Sequence, residues 1–233
     1  MMKRKKHSLV IGCLILFLVM NIVIPLGLII VQALQLNKPV DKIFEPVAQA
    51  LSSPLLLRAL LNSFVSTLGS LIIIIILSFS YAYYVEFKIK AERIQFFRFI
   101  ATLPMLVPSI SHGIALIYLF GRQGVFNQMF GGTIELYGTF GVVMGSVFYG
   151  FPTAFLLFSQ ALSSIDTIVL EQCQVLGLGE YKRWKDIILP QLRYTFFSVV
   201  VVVFTLIFTD YGIPIAVGGS FIVLPTLLYR NVI

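Results

Sequence analysis

Residues 171–190 read EQCQVLGLGEYKRWKDIILP, and the fold is decided by how they are read. An acid, Glu171, is followed six positions on by Gly177, and nine residues later by Ile187-x-Leu189-Pro190. This polar stretch lies between two long apolar runs, Thr139–Leu162 and Tyr194–Val217, so it is a loop held against a membrane face. The whole link is Ser163–Arg193. The pattern predicts a helix over Ser164–Leu176, capped by Ser163 or Ser164, with Asp166 near its positive end. Gly177 and Gly179 then break the chain, glycine tolerating the positive φ of a sharp turn. A second helix over Glu180–Ile188 carries Tyr181, Trp184 and Ile188 on one face, and Pro190 ends it at the entry to the next span. A helix-turn-helix of this kind has the parts of a lever and lacks those of a catalyst.

Outward from that loop the chain is mostly apolar. Of 233 residues 58% are hydrophobic and only 12% charged, about half the charge a soluble domain carries. Mean hydropathy is +0.97. Too few polar groups remain to clothe a water-facing surface, so lipid is the solvent for much of the chain. Five runs reach the roughly 20 residues a membrane helix needs: Leu9–Leu34, Leu60–Val85, Phe99–Phe120, Thr139–Leu162 and Tyr194–Val217. The first is too long for a signal-peptide core and is read as a retained helix. The expected class is therefore all-α, a polytopic helical bundle with about five transmembrane helices. A basic tail, residues 1–8, precedes a single membrane domain at 9–233. In the link Gln35–Ala59 a short interfacial helix near Ile43–Leu51 and a plain linker fit equally well. Gly121–Gly138 reads as a loop leading into a re-entrant or kinked segment.

The net charge of +7 does not point to nucleic acid, because the cations sit in the short links between spans. With the N-terminus in the cytoplasm, the inner segments hold twelve of the 17 Lys and Arg and the outer ones five. The positive-inside rule then favours a cytoplasmic N-terminus and a cytoplasmic 163–193 loop. Cys13 and Cys173 show no zinc spacing, and His7 and His112 stand apart, so no metal site is expected.

The spacing Glu171…Gly177…Ile187-x-Leu189-Pro190 resembles the EAA loop of the permease subunits of binding-protein-dependent ABC importers, with Gln172 and Cys173 in place of the two alanines. The resemblance implies an inner-membrane permease that forms a solute pathway and couples to a separate ATPase. Glu171, Gly177, Tyr181, Trp184, Ile187, Leu189 and Pro190 would make the coupling contact. The implied partners are ABC ATPase subunits, a second permease subunit, an extracytoplasmic solute-binding protein and the bilayer. No cofactor is expected in this chain. ATP would be bound by the partner, since no Gly-x4-Gly-Lys-Ser/Thr loop occurs here. The resembling permeases usually have a sixth helix where this chain has only Gly219–Ile233, so a shortened C-terminus is expected, with a genuine five-helix subunit as the alternative.

The ionisable residue that stands out within a span is Asp210, in FTDYGIPIAVGG, followed by Gly212, Pro214, Gly218 and Gly219. A buried acid beside helix-breaking residues suggests a cavity. This segment resembles the permease branch serving ferric iron, thiamine, polyamines, sulfate and aminoalkylphosphonate. Pro104 and Pro108 bend the third span, with Ser109, Ser111 and His112 as polar groups on a gate. Asp210, Pro104, Pro108 and His112 are thus the candidate pathway residues, against the plainer reading of a hydrated interfacial acid and a kinked packing helix. Gly141, Gly145 and Gly150 point to close helix packing. An ATP-independent secondary transporter or channel is the alternative. It predicts inverted repeats and several buried charges, and neither is apparent. No hydrolase or metalloprotease motif suggests an enzyme.

Overall fold

The computed structural model describes residues 11–33, 53–131, 135–177 and 179–232, and among these every regular element is helical. Two units are distinguished, Met1–Leu56 and Leu57–Ile233. The basic tail 1–8 and the stretch Ile43–Leu51 lie outside the described residues.

In the first unit, helix α1 covers residues 11–33 and includes the membrane-length run Ile11–Val31. Apart from Asn21, whose amide donates to the carbonyl of Phe17 at 2.9 Å, its side chains over 11–31 are overwhelmingly apolar, and all are exposed, as a helix bathed in lipid requires. At Val19–Val23 it widens into a π-turn, in which the N–H of Ile24 bonds to the carbonyl of Val19. Pro25 follows directly. Its ring would meet the carbonyl of residue 21 in a regular helix, and the wider turn removes that clash.

The second unit begins at Leu57, within α2, Pro54–Phe87. This helix starts six residues before the expected Leu60, because Pro54 is preorganised for a first turn. A short turn leads to α3, Ala91–Thr102, and a 3-10 turn, Leu103–Leu106. Then come α4 (Ser109–Phe120), α5 (Val125–Phe130), α6 (Thr139–Ser163), α7 (Thr167–Val175), α8 (Glu180–Phe208), α9 (Gly212–Val217) and α10 (Leu224–Val232).

The third expected span, Phe99–Phe120, is not one bent helix. The segment through Leu106 and the one from Ser109 meet at 99°. Val107, which precedes Pro108, is forced into extended backbone (φ −105°, ψ 131°), and two helices therefore abut where a kink was expected. The fifth expected span, Tyr194–Val217, also differs at both ends. It begins at Glu180, continuous with the loop's second helix, and stops at Phe208 before the separate α9. Pro190 does not end a helix. A π-turn at Trp184–Ile188 precedes it, the N–H of Leu189 bonding to the carbonyl of Trp184, just as at Pro25.

Helix α6 is the centre of this unit. Its half nearer the 163–190 loop packs Ala154, Phe155, Phe158 and Leu162 against Ile74 and Val85 of α2 and Val199 and Val203 of α8. Its other end packs Val142 against Leu116 of α4 and Ile213 and Val217 of α9. Close approach depends on missing side chains. A Cβ on Gly145 would lie 2.6 Å from Ile213 Cγ2, and one on Gly113 would lie 2.6 Å from Ala216 Cβ.

Candidate functional site

The loop from Ser163 to Pro190 forms the helix-turn-helix, but its caps differ from expectation. Ser163 and Ser164 turn their hydroxyls back to donate to the carbonyls of Gln160 (3.0 Å) and Ala161 (2.7 Å). Asp166 does the capping, its Oδ1 accepting the N–H of Ile168 at 2.8 Å. Helix α7 is correspondingly shorter than Ser164–Leu176. Gly177 has φ +72°, so glycine is needed at the turn. Gly179 does not share that role. Its φ is −62° and it precedes the first turn of α8.

Around this turn the apolar side chains face outward: Val175 is 89% exposed, Leu176 77% and Tyr181 71%. One turn further along α8 the direction reverses. Trp184 packs on the main core and Ile188 is buried, while Ile187 and Leu189 are half-buried and Pro190 is exposed. Glu171 lies on α7, and its side chain is outside the described residues. The expected stripe of Tyr181, Trp184 and Ile188 therefore runs from an exposed tip into the bundle. Val175 and Leu176 share that tip and were missed in the sequence, because apolar residues at a helix end read as core. The loop is also tied to the α2–α3 turn, where Lys88 Nζ lies 3.1 Å from Glu180 Oε1.

Behind that turn lies a second feature absent from the sequence reading. Glu86, whose side chain is only 5% exposed, accepts both Nε (2.9 Å) and Nη2 (2.6 Å) of Arg98 and the hydroxyl of Ser159 (2.5 Å). One carboxylate thus joins α2, α3 and α6. Among the described residues Glu86, and not Asp210 alone, is an acid at least partly buried. Glu86 and Arg98 were passed over because they stand at a span's edge, where charges are usually solvated.

Asp210 sits in the break between α8 and α9. Its carboxylate accepts the N–H of Ile213 (3.0 Å) and of Gly212 (3.4 Å), so it caps α9. It also lines an open cleft of about 420 Å³ with Ser109, Ile110, Tyr149, Leu206, Thr209, Tyr211 and Gly212. His112 reaches this cleft only through Tyr149, against whose ring it packs at 5.7 Å. Its Nδ1 lies 3.2 Å from the carbonyl oxygen of Pro108. Pro108 sets the start of α4 and so positions Ser109. Pro104 is elsewhere, on a different groove with Tyr81, Tyr84 and Phe148. Of the four candidate pathway residues, Asp210 lines this cleft and Pro104 the other groove, while Pro108 and His112 line neither.

Near the end of the chain Asn62 and Ser63 of α2 make long-range bonds. Asn62 donates to the carbonyl of Ile222 at 2.9 Å, and Ser63 Oγ accepts the N–H of Leu224 at 2.8 Å. They fix the approach to α10, which leaves Asp210 and α9 between two anchored segments. Among the described residues no group of three His, Cys, Asp or Glu is placed to hold a metal ion.

A bundle of membrane-length helices interrupted by a capped break, with an exposed turn at one face, is the architecture of a transport membrane subunit. Residues 87–231, more than half of the chain, match the binding-protein-dependent transport system inner membrane component family, and the chain belongs to that family. It is 26% identical over 192 residues to the ferric transport system permease protein FbpB of Actinobacillus pleuropneumoniae, covering 79% of this chain and 28% of that protein. It is 27% identical to the putative ferric transport system permease protein FbpB 1 of Haemophilus influenzae, over 54% of this chain and 21% of that one. With the spermidine/putrescine transport system permease protein PotC homolog of Mycoplasma genitalium identity is 30%, over 56% and 44%. The chain thus spans a fifth to under a half of the length of these relatives.

Proposed function

We propose that this chain is the permease subunit of a binding-protein-dependent ABC importer, lining part of a solute route and receiving force from a separate ATPase through the 171–190 loop. The observation that carries the reading is the exposed apolar tip formed by Val175, Leu176 and Tyr181 around Gly177, within the span matched by the family. Apolar and aromatic side chains at such exposure are what a protein partner buries at the centre of an interface. The tip is continuous with α8, so a push on Tyr181 is delivered along a helix that crosses the membrane. Glu171, Gly177, Tyr181, Trp184, Ile187, Leu189 and Pro190 are the coupling residues on this reading. Trp184 and Ile187 act from the base of the tip and Gly177 sets its turn. The bias of Lys and Arg supports a cytoplasmic N-terminus and a cytoplasmic loop, where an ATPase would be.

A second permease subunit would complete the route, and an extracytoplasmic binding protein would deliver the solute. ATP belongs to the partner, and the chain itself needs no cofactor. Asp210, Tyr149 and Ser109 line the cleft we assign to the route, with Pro108 and His112 supporting it. Pro104 shapes the neighbouring groove. The relatives carry names for ferric, spermidine/putrescine, thiamine and sulfate transport, so the named cargo varies from one relative to the next.

The test is purification of the full chain from host membranes in mild detergent, with an ATPase assay on the eluate. An ABC ATPase should co-purify with the wild type and be lost with Gly177→Pro, because proline cannot adopt φ +72°. Tyr181→Ala should weaken the association. A folded, inserted chain that captures no ATPase, or captures it equally well with Gly177→Pro, would sink the reading.

A further inference from the structure

We infer that the groove between α2, α3 and α6 binds an anionic phospholipid, with an acyl chain along the groove and the headgroup phosphate on the basic α2–α3 turn. The groove measures about 660 Å³ and is lined by Leu77, Tyr84, Ile100, Ala101, Phe148 and Phe151, among others. Leu77, Tyr84, Ile100 and Phe148 remain exposed along it. Two of its walls, α2 and α6, are long and apolar enough to cross the bilayer, so an apolar chain has to fill it. A void there would leave the lining without contacts.

Two observations fix the chemistry of the occupant. First, the apolar part of α2 ends at Val85, and the turn beyond it carries Lys88, Lys90 and Arg93, all exposed. Glu92 is the acid within this turn, and Glu180 offsets Lys88 from the neighbouring loop. With Lys182, Arg183, Lys185 and Asp186 of that loop included, cations still outnumber acids by six to three. Arg183 keeps a buried Nε with no acceptor. Basic residues just past a membrane helix attract anionic headgroups. Second, α3 continues from the basic turn with Phe96 and Phe99 exposed at 62% and 60%. Cations followed by exposed aromatic rings on a short helix are the pattern of an element lying in the headgroup–acyl boundary. A surface made only for a soluble protein would not need the groove that opens beside it. From Leu77 to Lys88 is eleven residues of helix, about 16 Å, which suits an acyl chain beginning at the headgroup.

The inference is independent of the transport reading, and it is tested on the purified full chain by native mass spectrometry with added phosphatidylglycerol or phosphatidylcholine of identical acyl chains. Wild type should retain phosphatidylglycerol at least about tenfold more strongly, at one lipid per chain. Lys90→Glu with Arg93→Glu should bring the two lipids to within about twofold, whereas Leu77→Trp with Ile100→Trp should weaken both alike. Lys182→Glu with Lys185→Glu, on the neighbouring loop, should leave most of the preference intact. All these positions are exposed, and unchanged thermal unfolding checks the fold. Equal retention of the two lipids by wild type overturns the inference. So does a preference that survives reversal of Lys90 and Arg93. Loss of a co-purifying ATPase on that reversal, with lipid retention unchanged, would assign the turn to a protein partner and equally overturn it.

Discussion

Glu86 and Asp210 are both carboxylates at membrane-helix ends, and they are used in opposite ways. Glu86 gives its oxygens to side chains of two other helices, Arg98 of α3 and Ser159 of α6. Asp210 gives its oxygens to the backbone three residues away and keeps a face open to a cleft. The first is a joint between elements distant in sequence. The second is a local cap that leaves its charge available. On the proposed reading, the acid on the route is the one whose bonds are local and whose remaining surface faces a cavity.

The sharpest way to break that contrast is Glu86→Ala. Removing one partner leaves Arg98 uncompensated, and about 3–5 kcal/mol of stability should be lost, read as a large fall in the unfolding temperature in detergent. Glu86→Leu with Arg98→Met should recover most of it. If the single and double variants unfold alike, Glu86 is not a joint. Next in size is Gly145→Ala, which drives a methyl into the fully buried Ile213 and should cost about 1–3 kcal/mol. Gly69→Ala meets nothing nearer than Val143 Cγ2 at 3.9 Å and should be neutral or stabilising by up to about 1 kcal/mol.

Asp210→Ala should cost only about 1 kcal/mol, the worth of a helix cap. Asp210→Asn should unfold like wild type, because asparagine caps as well. Uptake in reconstituted vesicles should nevertheless fall with Asp210→Asn if the charge faces the route, and unchanged uptake would reduce Asp210 to a cap alone. The smallest effect belongs to Lys88→Ala. Its pair with Glu180 is exposed on both sides, and less than about 0.5 kcal/mol should change. A larger loss would mean that the α2–α3 turn and the 163–190 loop are held together more tightly than an exposed pair allows.

Hydropathy located α6 almost to the residue, because its ends are marked by Gly138 and by Ser163–Ser164. It also found α2, apart from the turn that Pro54 adds. It failed where proline was read by rule. A proline at 108 predicts a kink, yet its effect on Val107 separates two helices. A proline at 190 predicts a helix end, yet a π-turn carries the helix past it. The Gly177 turn was legible because only glycine takes that φ comfortably. Glu86–Arg98 was not, since nothing in a one-dimensional pattern brings residue 86 to residue 159. Nor does it bring Asn62 and Ser63 to their partners at Ile222 and Leu224, 160 residues and more away.

The π-turn at Trp184–Ile188 has a consequence for how α8 tolerates change in length. Such a turn accommodates one extra residue without interrupting the rod. Removing one residue from it would restore regular winding and leave Tyr181 on nearly the same bearing, because a π-turn takes about one residue more than an α-turn for the same rotation. Removing one residue from the regular helix beside it would instead turn Tyr181 by about 100° relative to the membrane helix below Pro190. The loop and the membrane helix are thus geared to each other, and the π-turn is the place where the chain can lose a residue and keep the phase.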